Sequence, residues 1–457
     1  MLSVLLLTAL AADPAANPVV DPAAAQSPAK PPHIVLFLVD DFGRELLPPY
    51  GGQSYELPRL EALADESCVF ETCYATPLCS PSRVELMTAM YSFRNYSEWG
   101  QAPTTPTWVT HLKEAGYRTV AAGKWHMGGW DQQPPGIARA GFESWCSYDY
   151  VAELAGSFDY AGNRFWGGPV NVDGEWERLD RYGPDVQTAF INDAIAATAS
   201  DPRPLLAYFS LDLCHRPFHP TAEHPDAPQP GKAPPHDWLG PKGSDEHFPA
   251  MVRYVDVVVG RVLDAIEAAG ISEQTIVVFT ADNGTDNVHE AKPVRSQYLD
   301  RDVAGGKYFP TELGLNVPLM IRGPGVASPR RTEALTDFTD LGVTLLAAAR
   351  AEPLPRTDGR DLRRVLAGKT ETHKSLLWSW GNYEQSSRKY KSPADYPRRL
   401  FDVVRSPQHK WVSRGQLYDL DADWFEESPL RPADSRTPRL RLRDWNAELR
   451  QTAPKAW

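Results

Sequence analysis

The sequence predicts an α/β protein, with a large mixed, mostly parallel sheet flanked by helices and a smaller antiparallel subdomain at the C-terminal end. Three observations predict it. The runs His33-Ile-Val-Leu-Phe-Leu-Val39, Pro204-Leu-Leu-Ala-Tyr-Phe-Ser-Leu211 and Thr275-Ile-Val-Val-Phe-Thr280 are continuously apolar, as strands buried on both faces are. Helical patterns separate them at Leu57 to Ser67, Thr107 to Ala115 and Ala250 to Ala269, the last with its apolar residues on one face. After about Gly359 the texture changes to short strand candidates, Leu376 to Trp380, Phe401 to Arg405, His409 to Ser413 and Gln416 to Leu420, with no comparable helices between them.

In chain order, Met1 to Ala12 is an apolar run with Ala9 and Ala11 placed like a small-residue cleavage site. Residues 1–12 therefore read as a signal peptide, although no Lys or Arg precedes them, and export to the periplasm or the medium is expected. Residues 13–32 are rich in Ala and Pro and read as an extended linker. The large domain is expected over 33–355 and the small one over 356–457. No apolar run is long enough to span a bilayer, so no stable membrane span is expected.

The balance of 47 Lys plus Arg against 59 Asp plus Glu gives a net charge of −12, which excludes a nucleic-acid binder relying on a basic surface. An anionic substrate would need a local positive pocket. Five cysteines in 457 residues do not make a disulfide scaffold, and the odd count leaves at least one unpaired. No C-x-x-C pair is present, which argues against structural zinc.

Chemistry gathers where strands end. Asp40 and Asp41 follow the first apolar run, and Asp282 and Asn283 follow the third, at the edge where open α/β sheets bind ligands. An isolated Asp-Asp pair more often caps a helix; a second acid–amide pair at another strand end reverses that preference. The middle run leads into Asp212, Cys214 and His215. Cys79-Ser80-Pro81-Ser82-Arg83 admits three ordinary readings for its cysteine: a small buried residue, half of a disulfide, or a thiolate at the start of a helix beginning near Pro81 and Ser82. Cysteine phosphatases place Arg six positions after Cys to wrap an oxyanion. Arg83 is only four away, so that chemistry is excluded.

The pattern C-x-P-S-R resembles the modification signature of the sulfatase family, type I and arylsulfatase-like, whose members oxidise that cysteine to formylglycine. The family signature usually continues to Gly, where this chain has Ala89 after Thr88. Further similarity runs through Val39-Asp40-Asp41, Leu57 to Ala64, Gly123-Lys124-Trp125-His126-Met127-Gly128 and His215-Arg216-Pro217. It continues through Asp256 to Gly260, Asp282-Asn283-Gly284, Gly305-Gly306-Lys307, Glu312-Leu-Gly314 with Val317-Pro318, Asp358-Gly359 and Leu417 to Leu420, in matching order and spacing.

The resemblance implies an alkaline-phosphatase-like fold, with the sulfatase domain over 33–355, and hydrolysis of a sulfate monoester. It makes the hydrated aldehyde at position 79 the nucleophile. One hydroxyl attacks sulfur and the other expels sulfate, a step that an ordinary serine could not complete. Arg83 would orient the diol, and Lys124 and Lys307 would hold sulfate oxygens. His126 would take the proton that releases sulfate, and His215 would serve the leaving oxygen. Asp40, Asp41, Asp282 and Asn283 form an all-oxygen set that, with residue 79, suits one calcium ion rather than magnesium. A formylglycine-generating or sulfatase-maturating enzyme is the implied partner. Taken alone, each Lys would be a solvated surface charge and His215 a turn residue. Lys124 and Lys307 adjoin glycines that let backbone approach a ligand, and His219 has no matching role. The sequons Asn95-Tyr-Ser97 and Asn283-Gly-Thr285 read as accidental.

Trp99, Trp108, Trp125, Trp130, Trp145 and Trp166 cluster around these motifs and point to a sulfated carbohydrate as substrate, ordinary core packing being the competing explanation. The loops from Tyr91 to Pro106 and from Trp130 to Tyr182 are the candidates for specificity. Two other readings compete: a formylglycine-dependent phosphonate monoester or phosphodiester hydrolase, and a non-catalytic sulfated-glycan binding protein.

Overall fold

The computed structural model describes residues 30–95, 106–148, 164–228, 243–287, 294–381, 401–431 and 436–452. Contacts divide the chain into Met1–Pro31 and Pro32–Trp457, and the second unit carries every helix and strand of the described residues. The expected signal peptide and nearly all of the linker lie outside the described residues, as do parts of both expected specificity loops.

Among the described residues the main sheet has ten strands. Its centre is five parallel strands in the order Thr275–Ala281, His33–Val39, Leu205–Leu211, Arg118–Lys124 and Ser144–Tyr148. The three runs read as doubly buried strands occupy its middle, and the residues Ile34 to Val39 have no exposed surface. Apolar side chains on both faces require cover on both sides, and strands joined in parallel require crossovers. Helices supply both. Gly183–Ala196 packs with Phe248–Ala268, which in turn meets Pro58–Asp65; Cys79–Thr88 packs with Trp108–Glu114 and Phe338–Ala349. Antiparallel strands extend the sheet on either side, Leu319–Arg322 beside Thr275–Ala281 and Pro169–Val172 beside Ser144–Tyr148.

Register places the chemistry. Val39 is paired with both Leu211 and Ala281, so Asp40, Asp212 and Asp282 emerge side by side at the carboxyl edge. Backbone bonds from Asp40 N to Leu211 O and from Asp282 N to Val39 O, both 3.0 Å, prolong the ladder to these residues. Lys124 closes the next strand, opposite Tyr148.

The C-terminal strands Leu377–Gly381, Phe401–Arg405, His409–Val412 and Gln416–Asp419 form an antiparallel sheet in sequence order. Its side chains alternate as the pleat demands. Trp378, Val404, Trp411 and Leu417 pack with Leu78, Tyr91 and Leu442, while Leu377, Val403, Val412 and Tyr418 pack with Tyr74, Leu315 and Leu335. Leu442 belongs to the helix Arg436–Gln451, which the sequence patterns do not announce. All five cysteines are buried free thiols, so the disulfide reading of Cys79 is set aside. Among the described residues no helix is long and apolar enough to cross a membrane.

Candidate active site

The helix Cys79–Thr88 begins at Cys79 itself, two residues earlier than expected, after the extended Leu78. A clasp of short polar side chains fixes this start. Thr76 Oγ1 donates to Leu78 O (2.9 Å), Ser82 Oγ donates to Thr76 O (3.1 Å), and Thr76 N donates back to Ser82 Oγ (3.0 Å). Residue 79 thus opens the first turn of a helix, where the positive end of the helix dipole favours an anion. Cys79 Sγ lies 3.2 Å from His126 Nδ1, and Ser80 Oγ holds the His126 carbonyl at 3.0 Å.

Arg83, one turn on, is fully buried. Its Nε and Nη2 donate to Asp282 Oδ2 at 3.0 and 2.7 Å, and its Nη1 donates to Lys124 O at 2.9 Å and to Ser210 Oγ. Lys124 Nζ is 2.6 Å from Asp40 Oδ2, and Lys307 Nζ is 2.6 Å from Asp41 Oδ1. Neither lysine is a surface charge: they are 1% and 3% exposed, respectively. Three acids and three bases thus fill one buried site, and burying any of them unpaired would be costly.

Asp40, Asp41 and Asp282 each present an oxygen, all within 4.8 Å of one another. Asn283 Nδ2 donates to Asp41 Oδ1 (2.7 Å), which brings its amide into the same group. Asp40 Oδ1 and Asn283 Oδ1 are buried and accept no hydrogen bond. Hard oxygen donors with free lone pairs fit a divalent cation such as calcium. Electrostatics agree: burial, only partly offset by Lys307 and reinforced by the other acids, raises Asp41, and burial together with Asp40 lifts Asp282 to about 7. Asp40 is held at about 2, because Lys124, Arg83 and Lys307 outweigh the effect of burial. A cation would relieve the crowding of negative charge around Asp41 and Asp282.

His215 Nε2 stands 3.9 Å from Asp41 Oδ2, and its Nδ1 faces Arg216 O at 2.6 Å. A carbonyl only accepts, so Nδ1 carries the hydrogen and a neutral His215 presents a lone pair to the site. Burial and the charges of Lys307 and Lys124 push its pKa well down, which favours that neutral ring.

All the predicted site residues therefore meet at one edge of the sheet. Two expectations about their surroundings need correction. The glycines beside the lysines admit backbone, not ligand: a Cβ on Gly123 would lie 1.9 Å from Ser210 O, and one on Gly306 would lie 2.1 Å from the carbonyl carbon of Leu313. Lys124 moreover closes the strand Arg118–Lys124. The tryptophans are mostly core: Trp108, Trp125, Trp145 and Trp166 are buried, so they offer no open face to a sugar. Trp130 packs on Trp176 with centroids 5.3 Å apart, and Trp99 lies outside the described residues. The buried Asn283 has no exposed surface, in keeping with an accidental sequon. His219 is buried against Phe165, a structural placement.

Sequence patterns do not single out Ser80, Ser82 and Ser210, which hold catalytic candidates rather than forming part of the signature chemistry. Nor do they show that Asp41 and His126 are left-handed, each with φ of 53°. No pattern of residue types announces such strain, which recurs at functional sites.

The sulfatase family model matches residues 32–351. Among curated relatives, the N-acetylgalactosamine-6-sulfatase of Rattus norvegicus is 27% identical, the alignment covering 88% of this chain and 82% of that one. The arylsulfatase A of Homo sapiens is 28% identical over 80% of this chain and 74% of its own. Among solved structures, the crystal structure of Ps i-CgsB superposes with a TM-score of 0.71 at 21% identity, covering 93% of each chain.

Proposed function

This chain belongs to the sulfatase family, and from that premise we propose that it hydrolyses a sulfate monoester on a sulfated carbohydrate, using a formylglycine made from Cys79. The observation that carries the reading is the buried ring of three acids and three cations around residue 79, with the N-terminus of a helix behind it.

In the proposed mechanism the thiol of Cys79 stands in for the hydrated aldehyde. Arg83, anchored on Asp282, fixes the position of residue 79 from within its own helix. Lys124 and Lys307, held by Asp40 and Asp41, would bind the sulfate oxygens. One diol oxygen attacks sulfur and passes its proton to a neighbouring carboxylate of the acid cluster. His215, neutral before substrate binds, gains a proton at Nε2 once the anionic ester offsets Lys307 and Lys124, and delivers it to the departing alcohol oxygen. His126 Nδ1, beside residue 79, then takes the proton of the second hydroxyl. The carbon–oxygen bond to sulfate breaks and the aldehyde returns. Asp40, Asp41, Asp282, Asn283 and residue 79 would hold a calcium ion, which when bound supplies positive charge that draws electron density from sulfur. The three acids and three cations cancel, so that ion leaves the site net positive within a chain of net charge −12. The local positive pocket that an anionic substrate requires arises in this way.

The carbohydrate reading draws on the names of relatives such as N-acetylgalactosamine-6-sulfatase, not on the buried tryptophans. Export to the periplasm or medium and the service of a maturating enzyme complete the proposal, with the domain boundary near residue 355.

Mass spectrometry of the peptide carrying residue 79 from active protein tests it directly, since formylglycine differs in mass from cysteine and reacts with hydrazines. An unmodified thiol in active protein would refute the mechanism. Assay of a sulfate ester beside the matching phosphodiester is expected to favour the sulfate, and dominant phosphodiesterase activity would overturn the substrate assignment. Chelation of calcium is expected to inactivate reversibly; full activity after verified metal loss would contradict the ligand set.

A further inference from the structure

Away from the sulfate site, the segment that follows His215 and the turn that opens the helix Phe248–Ala268 bring three metal-binding donors together. His224 and Asp226 lie in a tight turn closed by His224 N to Thr221 O (3.0 Å) and Ala227 N to His224 O (2.9 Å). His247 ends the short 3-10 turn Asp245–His247 and abuts the long helix. Ser244 N bonds Phe218 O at 2.9 Å and ties the two segments together.

The side chains converge. His224, Asp226 and His247 each present one ligand atom, all within 4.8 Å of one another. The two imidazole centroids are 5.0 Å apart at 61°, and His224 Nδ1 is 3.6 Å from Asp226 Oδ2. His247 Nδ1 is shielded from water yet has no hydrogen-bond partner among the described residues. A shielded ring nitrogen on a residue grouped with a second imidazole and a carboxylate is a polar group awaiting a partner. Protons serve this arrangement poorly, because burial and His224 both disfavour a charged His247.

We propose that His224, Asp226 and His247 form a second metal site, for a borderline transition ion such as Zn2+, with water completing the coordination. Donor chemistry separates it from the active site: two imidazoles and one carboxylate suit zinc, copper or nickel, whereas an all-oxygen set suits calcium. The geometry needs little adjustment. Zinc bonds of about 2.0–2.1 Å put tetrahedral ligand atoms about 3.3 Å apart, so the donors must close by no more than about 1.5 Å. The Asp226 side chain is 65% exposed and that of His224 25%, so both can move inward. The contact given up is Asp226 N to His224 Nδ1 (3.2 Å), or the ring binds through its other nitrogen. Bound there, the ion cross-links the segment leading from His215 to the helix Phe248–Ala268.

The test is calorimetric titration of Zn2+ into the full chain, held in saturating calcium so that the oxygen ligands are occupied. One zinc equivalent is expected to bind, and His247→Ala and His224→Ala should each weaken it at least about tenfold. Co2+ in the same site should give a visible absorption band that both substitutions remove. Calcium affinity and sulfate-ester hydrolysis should stay within about twofold of wild type, since none of the three residues belongs to the sulfate site. Should His247→Ala fail to fold, His224→Gln, in a surface turn, carries the same measurement. Zinc affinity unchanged in these variants, or no zinc uptake by the wild-type chain up to about 1 mM, would overturn the proposal.

Discussion

Ala89 ends the helix Cys79–Thr88 in the left-handed conformation, at φ 53°. Sulfatase signatures usually carry Gly at this position, and the reason is local: an L-residue with a Cβ pays about 1 kcal/mol to sit there. Ala89→Gly is therefore expected to raise stability by about 0.5–1 kcal/mol, some of the gain being offset by the lost packing of a fully buried methyl. Urea denaturation measures it, and a destabilised variant would contradict the backbone argument. At position 79, Cys79→Ala should abolish turnover while leaving the melting temperature within a few degrees of wild type, since the thiol makes one polar contact. Activity near wild type would exclude residue 79 as nucleophile. The acids were legible because each follows an apolar run whose end marks the edge of a sheet. Ser80 and Ser82 were not, because a serine that clasps a loop looks like any other serine until the loop is folded.

At the level of elements, the C-terminal strands were legible to within a residue or so, since each is a short run rich in aromatic and aliphatic residues, such as Leu377-Trp378-Ser379-Trp380 and Phe401-Asp402-Val403-Val404, with no helical spacing. The helix Arg436–Gln451 was not. Its sequence is mostly polar, with a Pro near its start, and only Leu442, Trp445 and Leu449 mark the face that meets the sheet. That sparse face still matters, for Leu442 is 2% exposed. Leu442→Ala is expected to cost about 2–4 kcal/mol in urea denaturation. A cost below about 0.5 kcal/mol would mean that the helix is not docked as described. Because the same cluster contains Leu78, this helix and sheet brace the residue that precedes Cys79.

For the whole molecule, the join between the two sheets is electrostatic as well as apolar. Lys410 has no exposed surface and lies 3.2 Å from Glu312 Oε1 and 2.9 Å from Glu426 Oε1. Burial, only partly offset by Lys410 and reinforced by Glu312, lifts Glu426 from 4.5 to about 7. The native chain then holds a proton that the unfolded chain has lost, so this group's contribution to stability falls as pH rises from about 4.5 to 7. Glu312, held at about 2 by Lys410 and Arg405 against its burial, contributes above pH 4.5 and does not act in that window. Glu426→Gln is accordingly expected to gain about 1–3 kcal/mol on wild type between pH 5 and pH 8. Urea denaturation at both pH values checks it, and a pH-independent difference would rule it out. The brace behind Leu78 also has a consequence in time. Cys79 is 5% exposed, and the strands that pack on Leu78 beside it are made about three hundred residues later, from residue 377 onward. The proposed oxidation must therefore precede completion of the fold, so that folding and modification run as a race whose losers are stable, well-packed and catalytically mute.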